Sequence, residues 1–397
     1  MNSSEIRATV ALSLIQALRM VGMFMILPVF SLYALSLPGH VTPQQAGLAF
    51  GIYGLVQALL QLPFGWWSDR LGRLPVIVTG LVLFAAGSFL AGATHDIHWI
   101  ILGRALQGAG AISSATSALL ADSTRLSVRT QAMALYGAGM GAAFILALVL
   151  GPVFDGWIGV DGIFWLTGAL ALLAIPLLRF MVPRVPRQAS PGGGLARVLA
   201  DPQLLRLDAG IFLLHTMMTC LFFAAPLALQ NDLGLPESRH WQIYLPILFA
   251  SLAIVLPLIR RIEARGRVRT AFLGAIALVG GAQLLAAAGH RQAFDLLLAL
   301  LLFFVGFNYL EATLPSLISR RAPAQHKGTA LGVYSSAQFL GGFAGSSLGG
   351  LALAHWGASG AFLAAAALAL PWLLIALGME NLSPAARGDA AALHEGG

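Results

Sequence analysis

Charge is what this sequence has least of. Only 10% of its residues are Asp, Glu, Lys or Arg, whereas a soluble domain carries roughly 25%. A chain so poor in charge cannot clothe a globular surface in water. Its single cysteine, Cys220, excludes an internal disulfide framework and a Cys-rich metal centre. No Walker-type phosphate loop occurs, which argues against ATP drive. The Gly-x-Ser-x-Gly and His-Glu-x-x-His patterns and paired intramembrane aspartates are missing too, so no intramembrane enzyme is expected. Strict two-residue alternation is absent, which excludes a β-barrel. A cleaved signal peptide is not expected either, because the first apolar run, 8–34, is too long for one and contains Arg19 and Pro28.

What is there is apolar: 58% of the chain, gathered in runs that recur along its whole length. About twelve of them are long enough to cross a bilayer. They cover 8–34, 45–67, 74–93, 98–121, 130–154, 163–182, 207–230, 241–260, 270–289, 293–318, 328–355 and 360–379. The fold class is therefore an all-α membrane protein. The net charge of +7 is not spread evenly. Arginines gather at Arg70/Arg73, Arg125/Arg129, Arg179/Arg184/Arg187/Arg197, Arg260/Arg261/Arg265/Arg267/Arg269 and Arg320/Arg321/Lys327, while the alternate loops 36–44, 94–97, 155–161 and 355–359 lack Lys and Arg. Only Arg239 and Arg291 break the pattern. This positive-inside asymmetry places both termini in the cytoplasm. It also explains the basic charge without a nucleic-acid partner.

Between the second and third runs lies a polar knot, Gly65-Trp66-Trp67-Ser68-Asp69-Arg70-Leu71-Gly72-Arg73-Leu74. It is too short to hold a domain, so the flanking helices turn back tightly. Gly72 permits the turn and Gly65 permits close helix packing. The chain also repeats itself at an offset of roughly 198 residues. Tyr136 matches Tyr334, Gly151 matches Gly349, Gly159 matches Gly357, Gly162 matches Gly360 and Phe164 matches Phe362. At a slightly shorter offset Asp69-x-x-Gly72-Arg73 falls opposite Glu263-x-x-Gly266-Arg267. The expected organisation is a six-helix half over 1–183, a cytoplasmic linker at 184–204 with a short amphipathic turn at 195–199, a second six-helix half over 205–380 and a cytoplasmic tail at 381–397. Two such halves with polar groups near the bilayer centre form a transporter architecture.

These residues resemble the major facilitator superfamily. The knot is similar to that family's signature between spans two and three, G-x-x-x-D-R-x-G-R, filled here by Gly65, Asp69, Arg70, Gly72 and Arg73. Leu102-x-Arg104-x-x-Gln107-Gly108-x-Gly110-Ala111 resembles the fourth-span signature of the drug:proton antiporter branch. Gly151-Pro152 resembles the core of that branch's fifth-span signature, although Ala147 and Asp155 stand where it usually has glycine. A narrower likeness is to a bacterial inner-membrane group, carried by Arg19-Met20-x-Gly22-Met23-Phe24-Met25-Ile26-Leu27-Pro28-Val29 and by Phe307-Asn308-Tyr309-Leu310-Glu311-Ala312-Thr313-Leu314-Pro315-Ser316-Leu317. Members of that group carry a small domain after the twelfth span, and this chain is expected to lack it.

The resemblance implies twelve spans in two pseudo-symmetric halves and alternating access. It implies a latch in which Asp69 also caps the eleventh helix near Gly328, with Asp122 as the second acid for Arg73. It implies no cofactor, a bacterial inner-membrane location and a small-molecule substrate. A partly exposed ion-pair cluster suits a latch, since it holds and breaks at modest cost.

Charges inside the spans are few: Arg19, Arg104 and Glu311, with Asp208 near an end. Each costs about 2.5–3.5 kcal/mol at a span centre, so such residues face partners or a cavity. Arg19, Glu311 and His215 fall at similar depth. Asn308 shares a face with Glu311, and Gln16 with Arg19. Glu311 is the expected proton or cation site, with Arg19 as a possible structural partner and His215 as a relay. The resemblance gives Arg104, beside Gln107, a part in proton coupling. Gly108, Gly151, Pro152 and the glycines at 137, 139, 141, 341, 342, 349 and 350 are expected at helix-packing faces. The expected function is proton-coupled export of a small amphiphilic or drug-like solute by a monomer. A uniporter or nutrient symporter, or a receptor that kept the fold, stands as the alternative. No metal is expected.

Overall fold

A computed structural model describes residues 1–182, 194–323 and 326–380. The first part of the expected linker, 184–193, and the tail lie outside the described residues. The helices are α1 (Ser3–Met25), α2 (Phe30–Ser36), α3 (Pro43–Leu71), α4 (Arg73–Gly92), α5 (Ile97–Ala109), α6 (Ser113–Asp122), α7 (Leu126–Met181), α8 (Gly194–Leu199), α9 (Pro202–Asn231), α10 (Trp241–Ala264), α11 (Val268–Gly289), α12 (Ala293–Arg321), α13 (Lys327–Ala367) and α14 (Ala369–Leu377). A single 3-10 turn, Glu237–Arg239, precedes α10.

Among the described residues, nine helices are long and apolar enough to cross a membrane. Two of them, α7 and α13 with its continuation α14, bend back at a glycine, so each supplies two spans. The bends are Gly159 (φ 69°, ψ 171°) and Gly357 (φ 66°, ψ −163°), the pair matched by the sequence repeat. Only glycine adopts such angles without strain. The broken pair α5–α6 supplies one span more, which gives twelve.

The structure differs from the sequence expectation inside two spans. The first run is not one helix: it breaks after Met25 and resumes at Phe30. Pro28 has no N–H to donate and its ring opposes the preceding turn. The fourth run breaks at residues 110–112 between α5 and α6. A Cβ at Gly110 would stand 2.5 Å from the Gly80 carbonyl oxygen, so backbone meets backbone there.

The chain forms two compact units. The first comprises Met1–Pro191 with Ala225–Gln242, and the second Gly192–Ala224 with Ile243–Gly397. In the first unit α1 and the start of α7 run side by side. A Cβ at Gly151 would collide with the Met25 carbonyl, and Gly139 faces Ser13. Asn2 and Glu5 form a capping box at the start of α1. Glu5 also accepts two hydrogen bonds from the Arg125 guanidinium, at 2.8 and 3.1 Å, which ties the starts of α1 and α7. In the second unit α9 and α13 pack in parallel with the same intimacy. Gly341 lies on the Phe212 backbone, Gly345 on Thr216 and Gly349 on Cys220 and Phe223. Gly137 and Gly141 correct the expectation of packing faces: nothing lies within 4 Å of either added Cβ, because both point off the outer side of α7.

Candidate functional site

The polar knot is built by one glycine that ends α3 and starts α4. Gly72 has φ 99° and ψ 151°, so the chain reverses without a loop. Three residues converge on Arg73. Its guanidinium pairs with Asp69 one turn earlier, donates to Asp122 at 3.1 Å and donates to the Ser68 hydroxyl at 2.7 Å. Ser68 in turn donates to the Gly65 carbonyl at 2.8 Å. Arg73 and Asp122 are only 13% exposed, whereas Asp69 is 42% exposed. The cluster is thus half in and half out of water. Arg70 stands apart, 3.9 Å above the Trp66 ring. Gly65 lets α6 approach: an added Cβ would sit 3.4 Å from the Ser114 hydroxyl. Asp122 was expected at Arg73 and is there. Ser68, buried at the centre of the cluster, gave no signal in the sequence, since a lone serine on a helix is unremarkable there.

Deeper in the first unit lie two buried guanidinium groups with no carboxylate partner among the described residues. Arg19 donates to Tyr53 at 3.0 Å, to Gln57 at 3.4 Å and to Ser113 at 2.6 Å. Gln16 donates to the same Ser113 hydroxyl at 3.0 Å, so Gln16 and Arg19 act on one acceptor as their shared face suggested. Gln57 extends the chain to Gln61. Arg104 donates to Gln107 at 2.8 Å and to the Phe50 carbonyl at 3.1 Å, and Gln107 donates to Ser88 at 2.7 Å. Tyr53 joins the two groups. Its hydroxyl meets Arg19, and its ring lies 5.0 Å from the Arg104 guanidinium. Gly108 makes this possible, because any Cβ there would collide with the Tyr53 carbonyl. Pro152 follows Gly151 inside α7, where its missing N–H leaves one helix bond unmade.

The second unit holds the carboxyl cluster. Gln338 on α13 donates to Glu311 on α12 at 3.2 Å and meets His215 on α9 at 2.9 Å. The other His215 ring nitrogen, Nδ1, stands 4.0 Å from the second Glu311 oxygen. That oxygen has no hydrogen-bond partner among the described residues. Asn308 does not join this cluster. It turns to α10 and donates to Ser251 at 2.9 Å. Arg19 draws these acceptors from the first unit and Glu311 its donor from the second. At the offset relating Gly159 to Gly357, Glu311 takes the place of Ser113. Among the described residues no group of three or more His, Cys, Asp and Glu side chains could hold a metal ion. Gln338 was missed from the sequence because a neutral amide amid small residues on a span carries no charge signal.

Twelve apolar spans in two internally repeated units, with buried ionisable groups on facing helices, define a polytopic membrane transporter. The chain belongs to the Major Facilitator Superfamily, whose family profile matches residues 12–346 and 207–395. It is 43% identical to the inner membrane transport protein YajR of Escherichia coli (strain K12) over 387 residues, 96% of this chain and 85% of that one. The motifs of the first and tenth spans resembled proteins of this type. Solved structures share the fold at low identity. The human organic anion transporter MFSD10 (TETRAN) superposes with a TM-score of 0.70 at 20% identity, over 94% of this chain and all of that one. A bacterial homolog of the human lysosomal transporter Spinster, in an inward-facing and occupied conformation, gives 0.73 at 16% identity over 98% of both.

Proposed function

We propose that this transporter exports a small amphiphilic or drug-like solute across a bacterial inner membrane in exchange for protons, with both termini cytoplasmic. The observation that carries the reading is the Glu311 carboxyl. Among the described residues it is bonded on one oxygen by Gln338 and unpartnered on the other, with His215 Nδ1 4.0 Å away. A permanently paired structural acid would have both oxygens satisfied; one left open is suited to take up and release a proton. Glu311 is then the proton carrier, His215 and Gln338 orient it, and solute competes with the proton for the same charge state. Arg19 with Gln16, and Arg104 with Gln107, give the first unit a fixed positive region that biases where the proton rests. The Arg73–Asp69–Asp122 cluster serves as the cytoplasmic latch, and no cofactor takes part. The arginine-rich loops support the orientation, and the 43% identical relative, an inner membrane transport protein, supports the location.

The test uses proteoliposomes with an imposed pH gradient and an internal pH dye. Tetraphenylphosphonium, a neutral dye and an organic anion are added in turn to the parent and to Glu311→Gln. Proton release triggered by one of these solutes, and lost in Glu311→Gln, is expected. Solute counterflow without proton movement would replace antiport by facilitated transport and leave Glu311 a structural residue.

A further inference from the structure

Asp208 lies two turns inside α9, is 6% exposed, and among the described residues neither of its carboxyl oxygens has a hydrogen-bond partner. A carboxylate stripped of water and donors is among the least tolerated groups in an apolar interior. Arg206, two residues away, does not relieve it, because that guanidinium donates to the Gly378 carbonyl at 2.6 Å. Arg269 of α11 likewise donates to Leu377, and α14 presents Trp372 beside Gly210. Tyr334 of α13 is within electrostatic reach of Asp208, His215 lies two turns further along α9, and Glu311 of α12 stands beside His215.

The packing fixes how these stand. The parallel contacts Phe212–Gly341, Thr216–Gly345 and Cys220–Gly349 set the register of α9 on α13. Continued one turn back, that register brings Asp208 level with Ala337, three residues past Tyr334. On α12 the contacts run the other way: Gly210 meets Leu314 and His215 meets Glu311. Asp208 therefore sits nearer the start of α9 than Glu311 does, by about 7.5–10.5 Å along the helix axis. Tyr334 lies within electrostatic reach of both acids. Its hydroxyl is buried and has no partner among the described residues.

The first unit supplies an internal comparison. Tyr136, the repeat-related tyrosine, has its hydroxyl satisfied by Thr116 at 2.8 Å. The open hydroxyl of Tyr334 thus has no counterpart at Tyr136. Asp208, Tyr334 and Glu311 do not form a metal site. Buried oxygens on three helices that lack partners among the described residues are what ordered water completes.

We propose that Asp208 is a second proton-carrying group, which passes a proton by way of water and the Tyr334 hydroxyl to Glu311. In one transfer the Asp208 O–H bond breaks as a water O–H forms, the hydroxyl hands on a proton as it accepts one, and Glu311 gains the O–H while Asp208 becomes the carboxylate. The proposal rests on Glu311 being the proton carrier.

The experiment is infrared difference spectroscopy of the full chain in lipid, titrated with pH and without any solute. The carbonyl stretch of protonated carboxyls is followed in the parent, Asp208→Asn, Glu311→Gln and Tyr334→Phe. Two buried carboxylic-acid bands are expected. Asp208→Asn removes one and moves the midpoint of the other by half a pH unit or more, about a threefold change in proton affinity. Tyr334→Phe keeps both bands and moves the Glu311 midpoint, which protects the test if Asp208→Asn folds poorly. A band set unchanged by Asp208→Asn, or a Glu311 midpoint indifferent to both variants, overturns the relay. Loss of a band in Glu311→Gln alone would leave the Glu311 reading standing while the relay falls. No band lost in Glu311→Gln would bring down both.

Discussion

At position 72 the backbone takes φ 99° and ψ 151°, a region that is nearly glycine's alone and costs other residues about 1–3 kcal/mol. Gly72→Ala should lower the stability of the first unit by that amount, measured as a lower thermal midpoint in detergent. Two helical glycines make a sharper contrast. Gly108 lies against the Tyr53 carbonyl, and Gly137 faces nothing within 4 Å. Gly108→Ala forces backbone apart and should cost about 1–3 kcal/mol. Gly137→Ala removes only unfolded-state freedom and should stabilise by about 0.5–1 kcal/mol. Equal effects of the two substitutions would contradict this account of why α5 and α3 touch. Both glycines were read from the sequence as packing residues. Only Gly108 is one, because a glycine in a span looks the same whether it meets a helix or the surroundings.

At the scale of an element, α9 is held at its start by Asp201. Its carboxylate caps the helix by accepting from the Gln203 N–H at 2.9 Å and is bonded by Arg321 at 2.8 Å. Burial by itself would raise this carboxyl, but the Arg321 and backbone hydrogen bonds outweigh it and hold Asp201 below its ordinary value of 3.8. A carboxyl depressed on folding contributes stability that is fully present above its unfolded value and disappears as pH falls through its folded one. Asp201→Ala should therefore lower the thermal midpoint at neutral pH, by about 1 kcal/mol for the cap alone. The gap between parent and variant should shrink as the titration is carried below pH 3.8. Asp201→Asn, which keeps a capping oxygen, should fall between them. The breaks within the first and fourth spans belong to the same scale. Pro28 was visible in the sequence. The break at residues 110–112 was not, since it follows from how closely Gly110 approaches the carbonyl of Gly80 on α4.

For the molecule, the latch proposal makes Arg73 the residue on which the cluster turns. Asp69, Asp122 and Ser68 all bond to it, whereas Arg70 only stacks on Trp66. Arg73→Ala should reduce solute-driven proton exchange in proteoliposomes at least tenfold while the thermal midpoint stays within a few degrees, because partly exposed pairs contribute little to stability. Arg70→Ala should be milder. Equal loss in both would make the cluster a matter of topology and not of gating.

The sequence by itself determined the class, the span count, the internal repeat that pairs Gly159 with Gly357, the knot and the few ionisable residues in the membrane. Those follow from composition, from apolar run length and from glycine's conformational freedom, all of which are local. Only the tertiary structure decided which groups meet. Arg19 meets Ser113 and Tyr53, Asn308 turns to Ser251, Gln338 joins Glu311 to His215, and Asp208 is left without a donor. The reason is that a buried polar group must take its partner from a neighbouring helix. Which helix presents one at the right depth depends on the register set where glycine lets backbones touch, and no window of sequence contains both sides of that contact.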